Sequence, residues 1–149
     1  MRCGDFGCRT FYFETAKHSA VMIKNCNKTQ SISAKLSPRE IEKIKSFILG
    51  AVYGFCNNCK EDNGENGWFA LYDLFGQGTF YWYKPLKPLY DYYVKNGDIQ
   101  IDAIIHAAKD INRLLKEVLS EDDRFYEKNC CQDSAVIEEY RLINIEFYK

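Results

Sequence analysis

Four cysteines stand at spacings that suit a metal site. They form a C-x4-C pair, Cys3 and Cys8, and a C-x2-C pair, Cys56 and Cys59. Structural zinc is commonly held by four thiolates in a tetrahedron, and a short loop with two cysteines supplies two of them. If the two segments meet, these residues predict a structural zinc site. Isolated reduced thiols are the alternative that we favour, because nothing in the sequence brings the segments together.

A second set of regularly spaced residues is basic. Intervals of three and four residues separate its members: His106, Lys109, Arg113 and Lys116. On a helix they would form one stripe able to contact the phosphates or base edges of a nucleic acid. The carboxylates Asp102, Asp110 and Glu117 lie nearby on the same polar side and favour ordinary surface ion pairs instead. The net charge of -1 supplies no general attraction to phosphate. Nucleic-acid binding is therefore the second hypothesis.

Eleven aromatic residues fall between Trp68 and Tyr93. Large rings supply much of a domain's buried area. However, neighbouring residues in a strand face opposite sides, as the run from Phe80 to Tyr83 would, and the three tyrosines within 90–93 cannot all face inward from one helix. The surplus rings favour an exposed protein-binding surface over a stacking platform for single-stranded nucleic acid. The predicted interface consists of Tyr81, Tyr83, Lys84, Lys87, Tyr90 and Tyr92.

Catalytic chemistry has little support in the sequence. The two histidines, His18 and His106, lie in a predicted turn and on the flank of a predicted helix. No Ser-His-Asp order, phosphate-binding glycine loop or HExxH motif occurs in the chain. An enzyme whose site is assembled from distant residues stays open. We predict no catalytic residue and no cofactor, and structural zinc is the one alternative.

Length and composition indicate a single globular domain. With 149 residues, 46% hydrophobic and 28% charged, the chain can bury a core without a disulfide or a metal. Its apolar runs are far shorter than the roughly 20 residues that span a bilayer. The N-terminal segment lacks the apolar core of a secretory signal, so we predict a cytoplasmic protein without membrane contact. Abundant Lys, Asn, Ile, Tyr and Phe are typical of AT-rich coding, as in a phage or a mobile element.

Two strands and a capped helix are predicted in the first third of the chain. Residues 10–16 and 20–25 have the composition of a β-hairpin, and a polar connector follows. Ser37-Pro38-Arg39-Glu40 then has a capping hydroxyl, a proline at the first helical position and a glutamate three residues after the cap. The helix should end near Gly54 to Cys56. Its apolar face consists of Ile41, Ile44, Phe47, Ile48, Ala51, Val52 and Phe55.

Two shorter elements are predicted inside the aromatic stretch. Trp68 to Phe75 has helical spacing, and Gly76 suits the C-terminal cap. Thr79 to Tyr83 is β-prone by composition. These elements would place the aromatic rings on both sides of the chain.

Two further helices are predicted. The first lies at the end of the aromatic stretch: it begins at Pro85 to Pro88, carries Leu86, Leu89, Tyr90 and Tyr93 at helical spacing, and ends at Asn96-Gly97. The second, over 101–119 with Asp98 as its cap, has the clearest periodicity in the chain. Its predicted buried side consists of Ile101, Ile104, Ile105, Ala108, Ile111, Leu115, Val118 and Leu119.

The chain should close with two strands, over Arg124–Tyr126 and Leu142–Tyr148. From Ser37 onward, this order of elements is close to that of a winged-helix domain. We therefore predict one α+β domain over 1–149, in which 1–36 form the N-terminal hairpin and connector and 37–149 form a helical core with a C-terminal β-hairpin. Another α+β topology is equally compatible with the order.

Together these patterns favour a small non-catalytic binding protein that acts as an adaptor, regulator or inhibitor through the aromatic surface. The alternative is a winged-helix-like nucleic-acid-binding protein that uses the basic stripe of the helix over 101–119. The two hypotheses place the binding surface on different elements, so the structure can be compared with each.

Overall fold

The computed structural model describes residues 20–25, 31–58, 67–76, 85–129 and 138–143, which form a mixed α+β structure. The helices are α1 (Pro38–Asn58), α2 (Leu71–Phe75), α3 (Lys87–Lys95) and α4 (Gln100–Glu121). The strands are β1 (Ala20–Met22), β2 (Trp68–Phe69), β3 (Phe125–Asn129) and β4 (Tyr140–Ile143). The predicted α+β class is confirmed.

The four strands form one antiparallel sheet in the order β1-β3-β4-β2. In the centre, Tyr126 of β3 pairs with Leu142 of β4. The strand after the long helix extends to Asn129, beyond the predicted end at Tyr126, because β3 has a partner on both sides. The last strand begins at Tyr140, two residues earlier than predicted.

The predicted N-terminal hairpin is not confirmed. A strand does begin at Ala20, but it ends at Met22 and a 3-10 helix, Ile23–Asn25, follows. The first strand of the predicted hairpin (10–16), the predicted strand at 79–83 and the part of the last strand after Ile143 lie outside the described residues.

Helix α1 begins as the local sequence predicts. The Ser37 hydroxyl oxygen accepts a hydrogen bond from the Glu40 backbone N–H at 3.2 Å, and the Glu40 carboxylate accepts one from the Ser37 N–H at 2.9 Å. This reciprocal pair satisfies amides that the first helical turn leaves free. The helix continues to Asn58, past the predicted end, so Cys56 is helical and not in a loop.

The aromatic stretch begins differently from the prediction. Trp68 and Phe69 form strand β2, in which Trp68 pairs with Arg141 of β4, and the helix starts only after Ala70. The Asp73 carboxylate accepts the Ala70 N–H at 2.7 Å, which fixes this start. Gly76 closes the helix with a φ of 80°, a backbone conformation that favours glycine. Pairing with a distant strand outweighed the helical spacing.

Helix α4 is the centre of the core and packs against α1 and α3. Its buried apolar residues are Ala103, Ala107, Ile111, Leu114, Leu115, Val118 and Leu119. Ile101 and Ile105 were predicted to be buried on the same side, and that prediction is wrong because both are exposed. At its N-terminal end the apolar periodicity of the sequence continues, but none of the described elements buries Ile101 and Ile105 there.

The other end of α4 is joined to the sheet by Asp122, which is buried. Its carboxylate accepts hydrogen bonds from the hydroxyl groups of Tyr53 at 2.7 Å and Tyr126 at 2.6 Å, and from Arg124 Nε at 3.2 Å. Burial alone would raise the pKa of Asp122, but these donors lower it below its ordinary value. The three contacts connect α1, the end of α4 and β3.

Candidate functional site

A tight turn between α3 and α4 forms a corner at one end of the helical core. The Asn96 and Asp98 backbone N–H groups donate to the carbonyls of Tyr92 and Tyr93, at 3.1 and 3.0 Å. Gly97 has a φ of 100°, a backbone conformation that would be strained for a residue with a side chain. The predicted end of α3 at Asn96-Gly97 is confirmed, and the turn fixes the direction in which α4 leaves.

Asp98 was predicted to cap α4, and this is wrong. Ile99 occupies the cap position, and the Asp98 carboxylate lies 2.6 Å from His106 Nδ1. The imidazole ring also lies against the Tyr93 ring, with 5.2 Å between centroids. The pair connects the turn to the second turn of α4, so it holds the corner together.

Asp110 also stabilises this corner, and its side chain is fully buried. One carboxylate oxygen accepts the Ser33 N–H at 2.9 Å and Arg113 Nη1 at 3.0 Å. The other accepts the Ala34 N–H at 3.0 Å and the Tyr93 hydroxyl at 2.5 Å. Burial and the nearby carboxylate raise the pKa of Tyr93 far above its ordinary value. Asp110 therefore joins the segment before α1 to both α3 and α4.

Sequence reasoning placed Asp110 on the solvent side of α4. The sequence itself indicates that Asp110 is buried, because Asp110 follows Ala103 and Ala107 and precedes Leu114 at intervals of three and four residues. That spacing puts it on the side that carries the buried alanines. A buried carboxylate needs donors, and here they come from residues 33, 34, 93 and 113.

Three members of the basic stripe contact carboxylates of the described residues, and the fourth does not. His106 pairs with Asp98, Arg113 with Asp110, and Lys116 with Glu138. Lys109, the fourth member, is exposed. Three of the four groups are thus matched by carboxylates of the same chain, as expected for ordinary ion pairs.

Lys116 lies apart from the other three, in a cluster with the end of the sheet. Its ammonium group is 2.9 Å from Glu138, which Lys128 and the Tyr140 hydroxyl also contact. Burial would raise the pKa of Glu138, but these hydrogen bonds lower it to about 2. The ion pair of Lys116 with Glu138 therefore holds the start of β4 against α4.

The other three basic residues line one pocket of about 350 Å³ at the corner. The structure thus brings His106, Lys109 and Arg113 together, beside the carboxylates Asp98 and Asp110. Spacing along the helix predicted their shared side, but it did not predict the pocket.

The predicted aromatic interface falls in part outside the described residues, which do not include Tyr81, Tyr83 and Lys84. Of the other members, Lys87 is exposed and lies 3.4 Å from Asp91. Tyr90 and Tyr92 are half-buried and pack against the core. The part of this surface that the structure describes therefore contributes its rings to the core.

Exposed apolar surface is found instead on aliphatic residues of the corner. Among the described residues, five large hydrophobic side chains are exposed, and four of them lie between positions 94 and 105. Ile99 and Ile101 are each 66% exposed. We call this set the apolar corner; it consists of Val94, Ile99, Ile101 and Ile105. The apolar periodicity of the sequence had predicted that Ile101 and Ile105 belong to the core, so this surface was not predicted.

Of the four cysteines in the predicted zinc site, the structure describes Cys56 alone. Cys56 lies in the last turns of α1, half-buried, and burial raises the pKa of its thiol. Cys3, Cys8 and Cys59 lie outside the described residues. Among the residues that are described, no three His, Cys, Asp or Glu side chains are placed to hold a metal ion. Structural zinc stays a prediction.

Comparison with protein-family models, curated proteins and solved structures found no match to this chain. Across the described ranges, no helix has both the length and the hydropathy needed to cross a membrane.

Proposed function

We propose that this protein is a non-catalytic binding protein, an adaptor, regulator or inhibitor, that docks another protein through the apolar corner. The observation that carries the proposal is the concentration of four of the five exposed large hydrophobic side chains in residues 94–105. Isolated apolar side chains are normal on a protein surface, but a cluster of them is typical of an interaction site. The partner is another protein, as the sequence predicted. The proposed surface, however, consists of the aliphatic residues of the apolar corner and not of the predicted tyrosines.

The composition around the corner suits the rim of an interface. The exposed residues beside the four aliphatic side chains are polar or charged and of both signs, namely Lys95, Gln100, Asp102 and Lys109. Stable interfaces bury roughly 800 Å² on each partner, more than four aliphatic side chains can supply. The rim residues would therefore take part in the contact, around an apolar centre.

We further propose that the elements are arranged as in a winged-helix domain, with β1 as an addition. Helix α3, a tight turn and helix α4 precede the antiparallel pair β3 and β4, and β2 pairs with the outer edge of β4. A helix-turn-helix followed by a β-hairpin is the plan of that fold. Strand β1, on the outer edge of β3, would be the second strand of the N-terminal hairpin.

This arrangement supports protein docking over nucleic-acid binding. In a helix-turn-helix, the N-terminal residues of the second helix contact base edges. Here the exposed positions of the first two turns are Gln100, Ile101, Asp102 and Ile105, and none of them offers a phosphate a cationic donor. If the alternative held, Lys109→Glu would abolish a mobility shift, and affinity for nucleic acid would fall steeply with salt.

Affinity capture with three variants tests the proposal. The wild type, Ile101→Ser and Gln100→Ser are immobilised, exposed to native lysate with and without nuclease, and the captured proteins are quantified by mass spectrometry. Gln100 is a matched control because it is exposed on the same first turn of α4 and is already polar. We expect a nuclease-resistant partner that Gln100→Ser retains and Ile101→Ser loses by about tenfold or more, the effect of truncating an interface centre.

Two results would count against the proposal. One is equal capture by Ile101→Ser and the wild type, which would place the interface elsewhere. The other is capture that nuclease treatment removes, which would favour the nucleic-acid alternative. Sedimentation of the purified protein identifies the case in which the partner is a second copy of the chain, because Ile101→Ser would then shift the dimer toward monomer.

A further inference from the structure

In the pocket at the corner, some polar side-chain atoms have hydrogen-bond partners among the described residues and others have none. Its two carboxylates are engaged, Asp98 by His106 and Asp110 by four donors. Arg113 uses one terminal nitrogen for Ser33 and Asp110. Among the described residues, Arg113 Nε and Nη2, Lys109 Nζ and His106 Nε2 have no hydrogen-bond partner. Side-chain nitrogens of Arg113, Lys109 and His106 without a described partner therefore line the same pocket.

The charges lead to the same conclusion. Asp110 is balanced by Arg113 and by two backbone amides, and Asp98 is in contact with His106 Nδ1. Lys109 then remains as a cation that no described carboxylate matches. A ligand that supplies negative charge and several acceptor oxygens would complete the site.

We propose that this pocket binds the phosphate group of a small phosphate monoester. A phosphate has several oxygens that the Lys109 ammonium, the free edge of Arg113 and the His106 ring can contact together, and the planar guanidinium suits two of them at once. The volume, about 350 Å³, is at the lower end of the range for small-molecule sites. It holds a phosphate and a small organic group.

A monoester fits better than a nucleic-acid backbone. The phosphates of a nucleic-acid backbone are singly charged diesters that are linked along an extended strand. A terminal monoester has a second charge and enters alone. This inference does not rest on the proposed protein docking, since it concerns different side chains of the corner.

Nuclear magnetic resonance titration of the isotope-labelled full chain tests the proposal, with inorganic phosphate and phenyl phosphate as probes. Shifts of the Gly97, His106 and Lys109 amides should saturate, with a Kd for phenyl phosphate on the order of 1 mM or tighter. Lys109→Ala and His106→Gln should each weaken binding by about tenfold, as loss of a charge-assisted hydrogen bond does. Lys43→Ala, which removes an exposed lysine of α1 outside the pocket lining, should leave the Kd unchanged.

The same spectra show whether each variant is folded, so weakened binding is separated from unfolding. Shifts that rise linearly without saturation, or an equal Kd for Lys109→Ala and the wild type, would overturn the proposal. Saturation by a single-stranded oligonucleotide without terminal phosphate, when neither phosphate probe binds, would also overturn it and would assign these residues to nucleic acid.

Discussion

Replacing Asp110 with Asn tests how the corner is held together. The substitution keeps the shape of the side chain but turns one acceptor oxygen into an NH2 donor. Each carboxylate oxygen accepts two hydrogen bonds in the structure. Whichever oxygen is replaced, a backbone N–H of Ser33 or Ala34 then faces another donor.

The expected loss of stability follows from these contacts. An unsatisfied buried amide costs about 1–3 kcal/mol, and the remaining bonds lose the strength that the negative charge gave them, which adds about 1 kcal/mol. We therefore expect Asp110→Asn to lower the free energy of unfolding by about 2–4 kcal/mol. For a chain of this length the midpoint of thermal unfolding should fall by roughly 5–15 °C.

Urea denaturation followed by circular dichroism measures this loss. Asp102→Asn is the matched control, because it is the same change at an exposed position of the same helix, and it should alter stability by less than about 0.5 kcal/mol. Tyr93→Phe removes a single donor to Asp110 and should cost about 1 kcal/mol, less when Asp110→Asn is already present. A loss below about 1 kcal/mol for Asp110→Asn, or one equal to that of Asp102→Asn, would refute the assigned role.

Three further predictions concern other parts of the fold. Ser37→Ala should lower stability by about 1 kcal/mol, because it removes the hydroxyl acceptor of the capping box; an unchanged urea midpoint would contradict that contact. The pKa of Glu138 is lowered to about 2 from its ordinary value of 4.5, so its contribution is complete above pH 4.5 and is lost as the pH falls through 2. Glu138→Gln should accordingly flatten the rise of stability over that pH range, and a slope identical to the wild type would show that the carboxylate is not held in its cluster. Ile111→Ala should cost about 2–5 kcal/mol because it leaves a cavity, whereas Ile101→Ser should cost less than about 1 kcal/mol because Ile101 is exposed; equal losses would place Ile101 in the core.

Features that depend on neighbouring residues were predictable from the sequence. The start of α1 follows from Ser37 and Glu40, whose side chains satisfy amides within the same turn. The end of α3 follows from Asn96-Gly97, since glycine adopts the positive φ that the turn needs. Both features were correct because every partner lies within a few residues in the sequence.

Features set by distant partners were not predictable in the same way. Trp68 and Phe69 have helical spacing with Leu71 and Phe75, yet β4 recruits them as an edge strand. Periodicity shows which side of α4 is apolar, but it does not show where the core ends along the helix, so Ile101 and Ile105 were misplaced. The burial of Asp110 depends on donors more than 70 residues away in sequence as well as on nearby ones.

Site-specific photo-crosslinking tests the proposed interface most directly. A benzophenone amino acid replaces Ile101 in the apolar corner or, as the control, Lys43 on the exposed side of α1. After irradiation in native lysate, docking at the corner predicts a discrete, nuclease-resistant protein adduct from position 101 that is absent from position 43. The same adducts from both positions, a nuclease-sensitive adduct, or none from position 101 would contradict it.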